Sequence, residues 1–577
     1  MLKPGSDFPD NSIPDPTIPV LLLLDGLAFV AIALWAHELG LDPNTAWGRS
    51  RFVLLGIGLG LLAGSAFLAF TRIGRETFLA HAKGSGAVLS LAHVCLAIAL
   101  IYLWFITYGN WTTWQHTTNY YDQLATAFAH GQLNIDIDPG AALLTAPNPY
   151  DTSNRPAFNN EIWDMSLYNG KLYLYWGPMP AVVITPIKLF FEKRIPDNVL
   201  VFIFFVGLLV FNALILLKLW KRFFSDIPAR FLLAGVALAG LVLPIPWSMN
   251  SPRVYEAAIG GGQFFLMGGV FFALSAFDHP KINRAQLFAA GLFWACSVAA
   301  RAINALAIFF LVGLIVFWLF RKTPGQASWK AALPQVASLL IPLGMGALAI
   351  CWYNWARFGS PLEFGFRYAI TIHDLNKLSS QIFQPAYLLP NLHAYLFQPF
   401  ELGPAFPFFF PVAAPLDDAP SIYYAGRMAG ALFCAPFLLL GLVHLYPQPG
   451  RASEEHSPGE SLLSYHFVIY LLAGSFAAGF IGLMFFFFGQ MRYFVDVISL
   501  VTLLGIIGYW RSVAISQTSN MVTPKLFRGF ADLLVVFSLC AGLLLAFSSD
   551  YDRIKTLNPA LFEKIVNSLS IQQPDSQ

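Results

Sequence analysis

An all-α, polytopic membrane protein is the fold class this sequence predicts, and three observations carry it. Of its 577 residues, 57% are hydrophobic and only 11% charged, and the mean hydropathy is +0.61. A soluble fold of this length has no use for so apolar a composition. The apolar residues also gather in runs close to a bilayer crossing, about 20 residues. Together they predict a helical bundle of about 13 transmembrane helices, with juxtamembrane helices in a large first outer loop.

In chain order the runs fall at 17–39, 52–71, 87–108, 197–217, 229–247, 257–277, 286–300, 303–320, 333–354, 423–446, 462–485, 493–510 and 530–548. The first is preceded by Asp7, Asp10 and Asp15 instead of a basic segment, so it reads as a retained anchor. Segment 178–192 is the ambiguous one, being short and holding Pro178, Pro180, Pro186 and Lys188. The positive-inside rule decides it. Lys218, Lys221, Arg222 and Arg230 share the cytoplasmic side with Arg72, Arg75 and Lys83 only if 178–192 does not cross. It is therefore read as a juxtamembrane or re-entrant helix. Loops 110–196 and 355–422 then face outward, while Lys281, Arg284, Arg321, Lys322, Arg451, Lys525 and Arg528 lie inside. The expected organisation is an N-terminal tail and accessory two-helix hairpin (1–86), one catalytic membrane domain (87–548) and a C-terminal tail (549–577). Residues 447–460 read as a polar linker.

Composition also excludes. A net charge of +2 argues against a nucleic-acid groove. Cys95, Cys296, Cys351, Cys434 and Cys540 stand far apart in apolar runs and give neither a disulfide framework nor a metal cluster. No P-loop and no HExxH spacing occur, which removes an ATP-driven step and a zinc hydrolase.

Loop 110–196 carries the chemistry-bearing residues. Tyr121, Leu124, Ala125 and Phe128 recur at helical spacing, so Asp122 stands at the start of a short amphipathic helix at the membrane surface. Asp122 is there either a helix cap or a partly desolvated base. Asp136 and Asp138 fit a divalent-cation pair, or a short extended segment with its polar side in water. Asp164, seven residues before Lys171, orders that lysine, lines a substrate site or occupies a turn. Tyr168, Tyr173, Tyr175 and Trp176 suit either a sugar-stacking wall or an interfacial aromatic belt. Intramembrane cations are costly unless paired or functional. Arg301 and Arg492, with Arg253 and Arg367, are thus phosphate ligands or members of ion pairs, such as Arg492 with Asp496 and Arg253 with Glu256. The second loop, 355–422, offers Gln381, Gln384, Asn391, His393, Gln398 and Glu401 as a cover over substrate.

Three stretches carry a family resemblance. They are YYDQLATAFAHGQL (120–133) with NPYD (148–151) and WDMSLYNGKLYLYWGPMP (163–180), YNWARFGSPLEFGFRY (353–368), and QMRYFVD (490–496). These resemble the GT-C superfamily of polytopic glycosyltransferases, which includes protein O-mannosyltransferases and lipid A aminoarabinose transferases. The resemblance implies an enzyme moving a sugar from a polyprenyl-phosphate donor to a hydroxyl on a glycan, lipid or protein acceptor, with inversion. It implies Asp122 as the base, and Lys171, Arg492, Arg301, Arg367 and Arg253 as candidates for the donor phosphate. Tyr121, Asp164, Tyr173 and Tyr175 are the candidate substrate contacts. Some relatives use a metal and others do not, so Asp136 and Asp138 stay open. The expected setting is a bacterial inner membrane with the site facing outward. A transporter or flippase, and a polysaccharide polymerase or ligase acting on lipid-linked glycans, are the competing readings.

Overall fold

Helices long and apolar enough to cross a bilayer dominate the described residues, and short helices and hairpins fill the longer connections between them. The computed structural model describes residues 17–42, 44–71, 85–115, 117–278, 281–322, 329–414, 420, 422–445, 462–518, 521–549 and 552–569. Ten helices among these meet the length and hydropathy of a membrane span. In labels used below, they are α1 (Thr17–Trp35), α2 (Arg49–Phe70), α3 (Ser85–Ile106), α6 (Asp197–Phe223), α8 (Val254–Ala276), α10 (Asn304–Lys322), α11 (Trp329–Phe358), α12 (Tyr465–Met484), α13 (Val495–Thr518) and α14 (Val522–Phe547). Helices α4 (Tyr120–Ala129), α5 (Met179–Lys188), α7 (Ala229–Leu241) and α9 (Arg284–Ala300) complete the numbering. The chain is an integral membrane protein of polytopic helical architecture. The other three expected crossings are short: α7, α9 and, within 423–446, a 3-10 stretch Pro436–Leu445 that follows two strands. The basic residues Arg72, Arg75, Lys83 and Arg451 and the linker 447–460 lie outside the described residues.

Contacts divide the chain into two units, residues 1–100 with 110–113, and residues 101–109 with 114–577. In the first, α1 and α2 cross where Gly26 and Gly58 meet: a Cβ on Gly58 would come within 2.9 Å of Val30. Small residues let helix backbones approach in a medium that offers no hydrophobic drive. A polar clasp, His93 Nε2 to Asp25 Oδ2 at 2.6 Å, ties α3 to α1 in the same unit.

The second unit holds most of these short elements. Helix α5 is 10 residues, roughly 15 Å at 1.5 Å per residue, and so cannot span. Its helical form is short because Pro180 opens it and Pro186 sits within it. Loops 110–196 and 355–422 meet at one end of the bundle. Asp164 N donates to Ile370 O at 2.9 Å and Ile370 N to Met165 O at 2.8 Å, while Asn148 Nδ2 reaches Asp374 at 2.8 Å. Between them stands a hairpin, β1 (Ser166–Tyr168) and β2 (Lys171–Tyr173), turned by Asn169 and Gly170 at φ +49 and +74. Two consecutive positive φ values are what an Asn-Gly hairpin turn supplies. The second loop is in turn sealed to the end of α12: Asn391 Nδ2 donates to the carbonyls of Leu483, Met484 and Phe486.

One buried carboxylate gathers this end. Asp197, at the start of α6, accepts from Thr118 Oγ1 at 2.5 Å and from the amides of Tyr120 and Tyr121 at 3.0 and 3.1 Å. It thus satisfies the first free N–H groups of α4, a task helices usually give to the residue before them. Asn119, in that place, does not cap α4 with its side chain. Thr118 Oγ1 also accepts from Val254 N at 2.9 Å, so α4, α6 and α8 begin at one point. Asp197→Ala leaves three donors without their acceptor at a position that is itself fully buried, and the expected loss is about 3 kcal/mol of stability. Thermal unfolding in detergent checks it; an unchanged midpoint would show that the three helix starts are held by other means.

Candidate functional site

Two adjoining cavities open where the short helices and hairpins meet the spans. The first, about 560 Å³, is polar and aromatic, and its lining includes Trp163, Asp164, Tyr175, Arg253, Tyr255, Arg427, Arg492 and Tyr493. The second, about 330 Å³, is mainly apolar and lies among Trp176, Pro178, Val298, Ile303, Ile350, Tyr353, Phe383 and Leu483, with Arg301 and Arg357 in its wall. Tyr175, Tyr255, Phe366, Phe486 and Tyr493 line both, so the polar and the apolar cavity share an aromatic wall.

The polar floor comes from the start of α8 and the turn before α13. Glu256, 2% exposed, takes Arg253 Nε at 3.8 Å on one oxygen and Arg492 Nη1 at 3.9 Å on the other. Tyr255 lies between the same two cations, 5.2 Å from Arg253 and 4.3 Å from Arg492 measured from ring centre to guanidinium carbon. Electrostatic attraction to the ring face steadies both guanidiniums. The Tyr255 hydroxyl donates a hydrogen bond to Asp164 Oδ2. Asp164 has φ +59, a left-handed conformation that Asp tolerates better than most residues and that is enriched at functional sites. Burial pushes its carboxyl above the usual range, opposed by the hydrogen bonds of Tyr255 and Thr371 and by the charges of Arg492 and Arg253.

The apolar part is bounded by a break between α9 and α10. Arg301 sits in that break and makes a fork to Asp496, Nε to Oδ2 at 3.1 Å and Nη2 to Oδ2 at 3.0 Å. Gly177, which leads into α5, is pressed against the same break. A Cβ there would stand 2.1 Å from the Ala299 carbonyl oxygen. Arg357, 5% exposed, bonds only neutral groups: Leu174 O at 2.6 Å, Asn354 Oδ1 at 2.8 Å and Tyr353 O at 3.3 Å.

Of the residues singled out in the sequence, Asp164, Tyr175, Arg253 and Arg492 meet in the polar cleft, and Arg301 faces the apolar pocket. The expected Arg492–Asp496 pair is not formed. Arg492 lies in the 3-10 turn Met491–Phe494, before α13 begins at Val495, so the helical i,i+4 geometry is absent. Each takes a partner from another helix instead, Glu256 for Arg492 and Arg301 for Asp496. The Arg253–Glu256 pair is formed.

Asp122 lines neither cavity. It does not cap α4, since Asp197 does; its Oδ1 holds Lys188 Nζ at 2.5 Å and accepts from Ile195 N at 2.7 Å, locking α5 to α4. Tyr121 is fully buried, and Tyr173 packs on Phe358 at 5.4 Å between ring centres. Lys171 is exposed at the start of β2, and Arg367 pairs with Glu363 at 2.7 Å on the loop surface. Asp136 and Asp138 are exposed, and Asp138 Oδ1 accepts from Gly140 N in a local turn. No group of three or more His, Cys, Asp or Glu able to hold a metal occurs among the described residues. Two exposed carboxylates, one committed to a turn, do not make the donor set a divalent cation needs. Tyr255, Tyr493, Phe486 and Arg357 escaped sequence reading. Tyr493 and Arg357 lie in the stretches that carry the family resemblance without a role being read for them, while Tyr255 was marked only by the adjoining Arg253 and Glu256 and Phe486 by nothing.

The raised carboxyl of Asp164 has a consequence for stability. The folded state holds its proton more tightly than the unfolded chain does. Ionisation therefore costs stability that develops as pH climbs from the ordinary carboxylate range through the raised value, and persists above it. Asp164→Asn removes that cost, so its thermal midpoint at pH 7 should equal or exceed that of the unaltered protein. A loss of about 2 kcal/mol or more at pH 7 would make Asp164 a structural residue instead.

No protein-family model matches the chain, and no curated protein matches it. Among solved structures, the chain is similar to the Archaeoglobus fulgidus oligosaccharyltransferase in the apo form, with a TM-score of 0.39 and 15% sequence identity. That match covers 80% of this chain and 56% of the other, so this chain spans little more than half of that protein's length.

Proposed function

We propose that the chain is a membrane glycosyltransferase that moves a sugar from a polyprenyl-phosphate donor to a hydroxyl acceptor. The observation that carries this reading is the adjacency of a charged, aromatic cleft and an apolar pocket between helices, which share an aromatic wall. A substrate that joins a sugar, a phosphate and a hydrocarbon chain presents the same sequence of chemistries. The lipid would occupy the apolar pocket, and the phosphate would meet Arg253 and Arg492, the two guanidiniums set about Glu256 and Tyr255. Guanidinium groups match phosphate oxygens in geometry and charge. Tyr175, Trp163 and Tyr255 offer ring faces to the sugar.

In this reading the base is Asp164, the carboxylate of the cleft, rather than Asp122, which is engaged by Lys188. Asp164 takes the proton of the acceptor hydroxyl as its oxygen attacks the anomeric carbon. The bond from that carbon to the phosphate oxygen breaks on the opposite face, which inverts the centre. The departing lipid phosphate keeps the bonding electrons, and the two arginines offset its charge. A carboxyl raised by burial is a stronger base than an ordinary one, so transfer should rise with pH through that raised value. Asp122 has a supporting part, since its ion pair fixes α5, whose preceding residues Trp176, Gly177 and Pro178 wall the pocket.

The test is sugar transfer in proteoliposomes supplied with a panel of polyprenyl-phosphate sugars and an envelope-glycan acceptor extract. Asp164→Asn should lower transfer by about 10²-fold or more. Asp122→Asn should keep measurable transfer while lowering thermal stability. An active Asp164→Asn beside a folded but inactive Asp122→Asn would return the base role to Asp122.

A further inference from the structure

The helix Pro559–Leu569 divides its residues by chemistry. At about 3.6 residues per turn, Leu561, Phe562, Ile565, Val566 and Leu569 share one side, and Glu563, Lys564, Asn567 and Ser568 share the other. Its start is fixed to the ends of two spanning helices. Asn558 Oδ1 accepts from Leu561 N at 3.3 Å, and Asn558 Nδ2 donates to Tyr108 O at 2.8 Å, just past the end of α3. Leu561 lies on Gly109: a Cβ there would stand 2.2 Å from Leu561 Cδ2. A chain of rings continues the contact, with centres 6.2 Å apart for Phe562 and Phe406, 4.8 Å for Phe406 and Phe547, and 5.1 Å for Phe547 and Phe105. Phe547 is the last residue of α14 and Phe105 is next to last in α3, so both spans end at the level where this helix begins. That level borders the cleft, because Ser548, Ser549 and Asp552, which connect α14 to the helix, line it.

The apolar side extends beyond these contacts. Leu561 and Phe562 turn it toward the span ends, hence toward the membrane; farther along, Ile565 and Val566 are half-buried and Leu569 is 52% exposed. No residue of the helix is buried by the protein. Its 11 residues cover roughly 16 Å, too short to cross a bilayer. An apolar stripe at the level where spans end, facing the membrane plane with a polar side turned away, is the arrangement of a helix that lies in the interface. We infer that Pro559–Leu569 rests on the bilayer, in the headgroup layer of the leaflet that borders the cleft, with Ile565, Val566 and Leu569 against acyl chains. Glu563 and Lys564 cancel in charge on the polar side, so apolar burial holds the helix there without attraction to anionic lipid. Ser548, Ser549 and Asp552 are thereby held between a span and a surface helix, which sets the cleft rim at the depth of lipid head groups. The inference does not depend on the reaction proposed for the cleft.

Full-length protein with a genetically encoded fluorescent amino acid at Ile565, Val566, Leu569, Glu563 or Asn567 is reconstituted in phosphatidylcholine liposomes, and quenching by lipids with nitroxides on their acyl chains is compared with quenching by iodide. Thermal midpoints check that the labelled proteins are folded. Labels at 565, 566 and 569 should lose fluorescence to the acyl nitroxides, at a depth of about 5–10 Å, and those at 563 and 567 to iodide. Adding phosphatidylglycerol should leave these depths unchanged. Ile565→Glu/Leu569→Glu should release the helix and expose a label at 566 to iodide. Iodide quenching at all five positions with none by lipid would overturn the inference, as would lipid quenching at 566 that the double variant leaves intact. Shielding of 565, 566 and 569 from both quenchers, with energy transfer between labelled copies, would also overturn it by making this face a contact between copies.

Discussion

The buried carboxylate of Asp197 is the constraint on which the arrangement of this protein rests. Its oxygens take the first amides of α4 and the hydroxyl of Thr118, and Thr118 takes the first amide of α8. Three helices that carry different parts of the site therefore start from a common point. Helix α4 supports the cleft wall directly, because Tyr120 Oη donates to Trp163 O at 2.8 Å and its ring stacks on Trp176. Helix α8 begins with Arg253, Tyr255 and Glu256, the floor itself. A carboxylate in an apolar surrounding survives only when its lone pairs are filled, and here the donors come from the elements it must align.

Charge is spent sparingly around the two cavities. Arg301 is neutralised by Asp496 and leaves the apolar pocket electrically quiet on that side. The cleft gathers charges of both signs: Arg253 and Arg492 reach Glu256, Asp164 and Asp552 stand in the lining, and Tyr255 is set against both arginines. Arg357 adds a buried cation satisfied only by neutral oxygens. Buried charges of this kind are costly unless paired or functional, so the cleft is either a tightly balanced ion network or a site that takes a polar ligand.

Much of this was legible in the sequence, and what was not has physical causes. The ten long spans followed from run length and hydropathy, and the non-crossing 178–192 followed from its prolines and the basic ends downstream. Segment 423–446 misled because its apolar residues are divided among two short strands, a single helical turn and the 3-10 stretch Pro436–Leu445. Hydropathy has no period to separate them. The Asn169–Gly170 pair was an available hairpin signal, hidden among aromatics that suggested a belt. Ion pairing was the least legible property, since Arg492 and Asp496 are close in sequence yet paired across helices. Asp122 and Asp164 were both visible as candidates. Only the packing of α5 on α4 separates a carboxylate locked by Lys188 from one that faces a cavity.

The most direct test of the cleft and pocket as the substrate site is photo-crosslinking with a polyprenyl phosphate that carries a diazirine in its first isoprene unit, read by peptide mass spectrometry. The account places adducts on the segments around 298–303, 350–357 and 483–486, and reduced yield in Arg492→Ala. Adducts confined to 120–130 and 185–195, around Asp122 and Lys188, would contradict it.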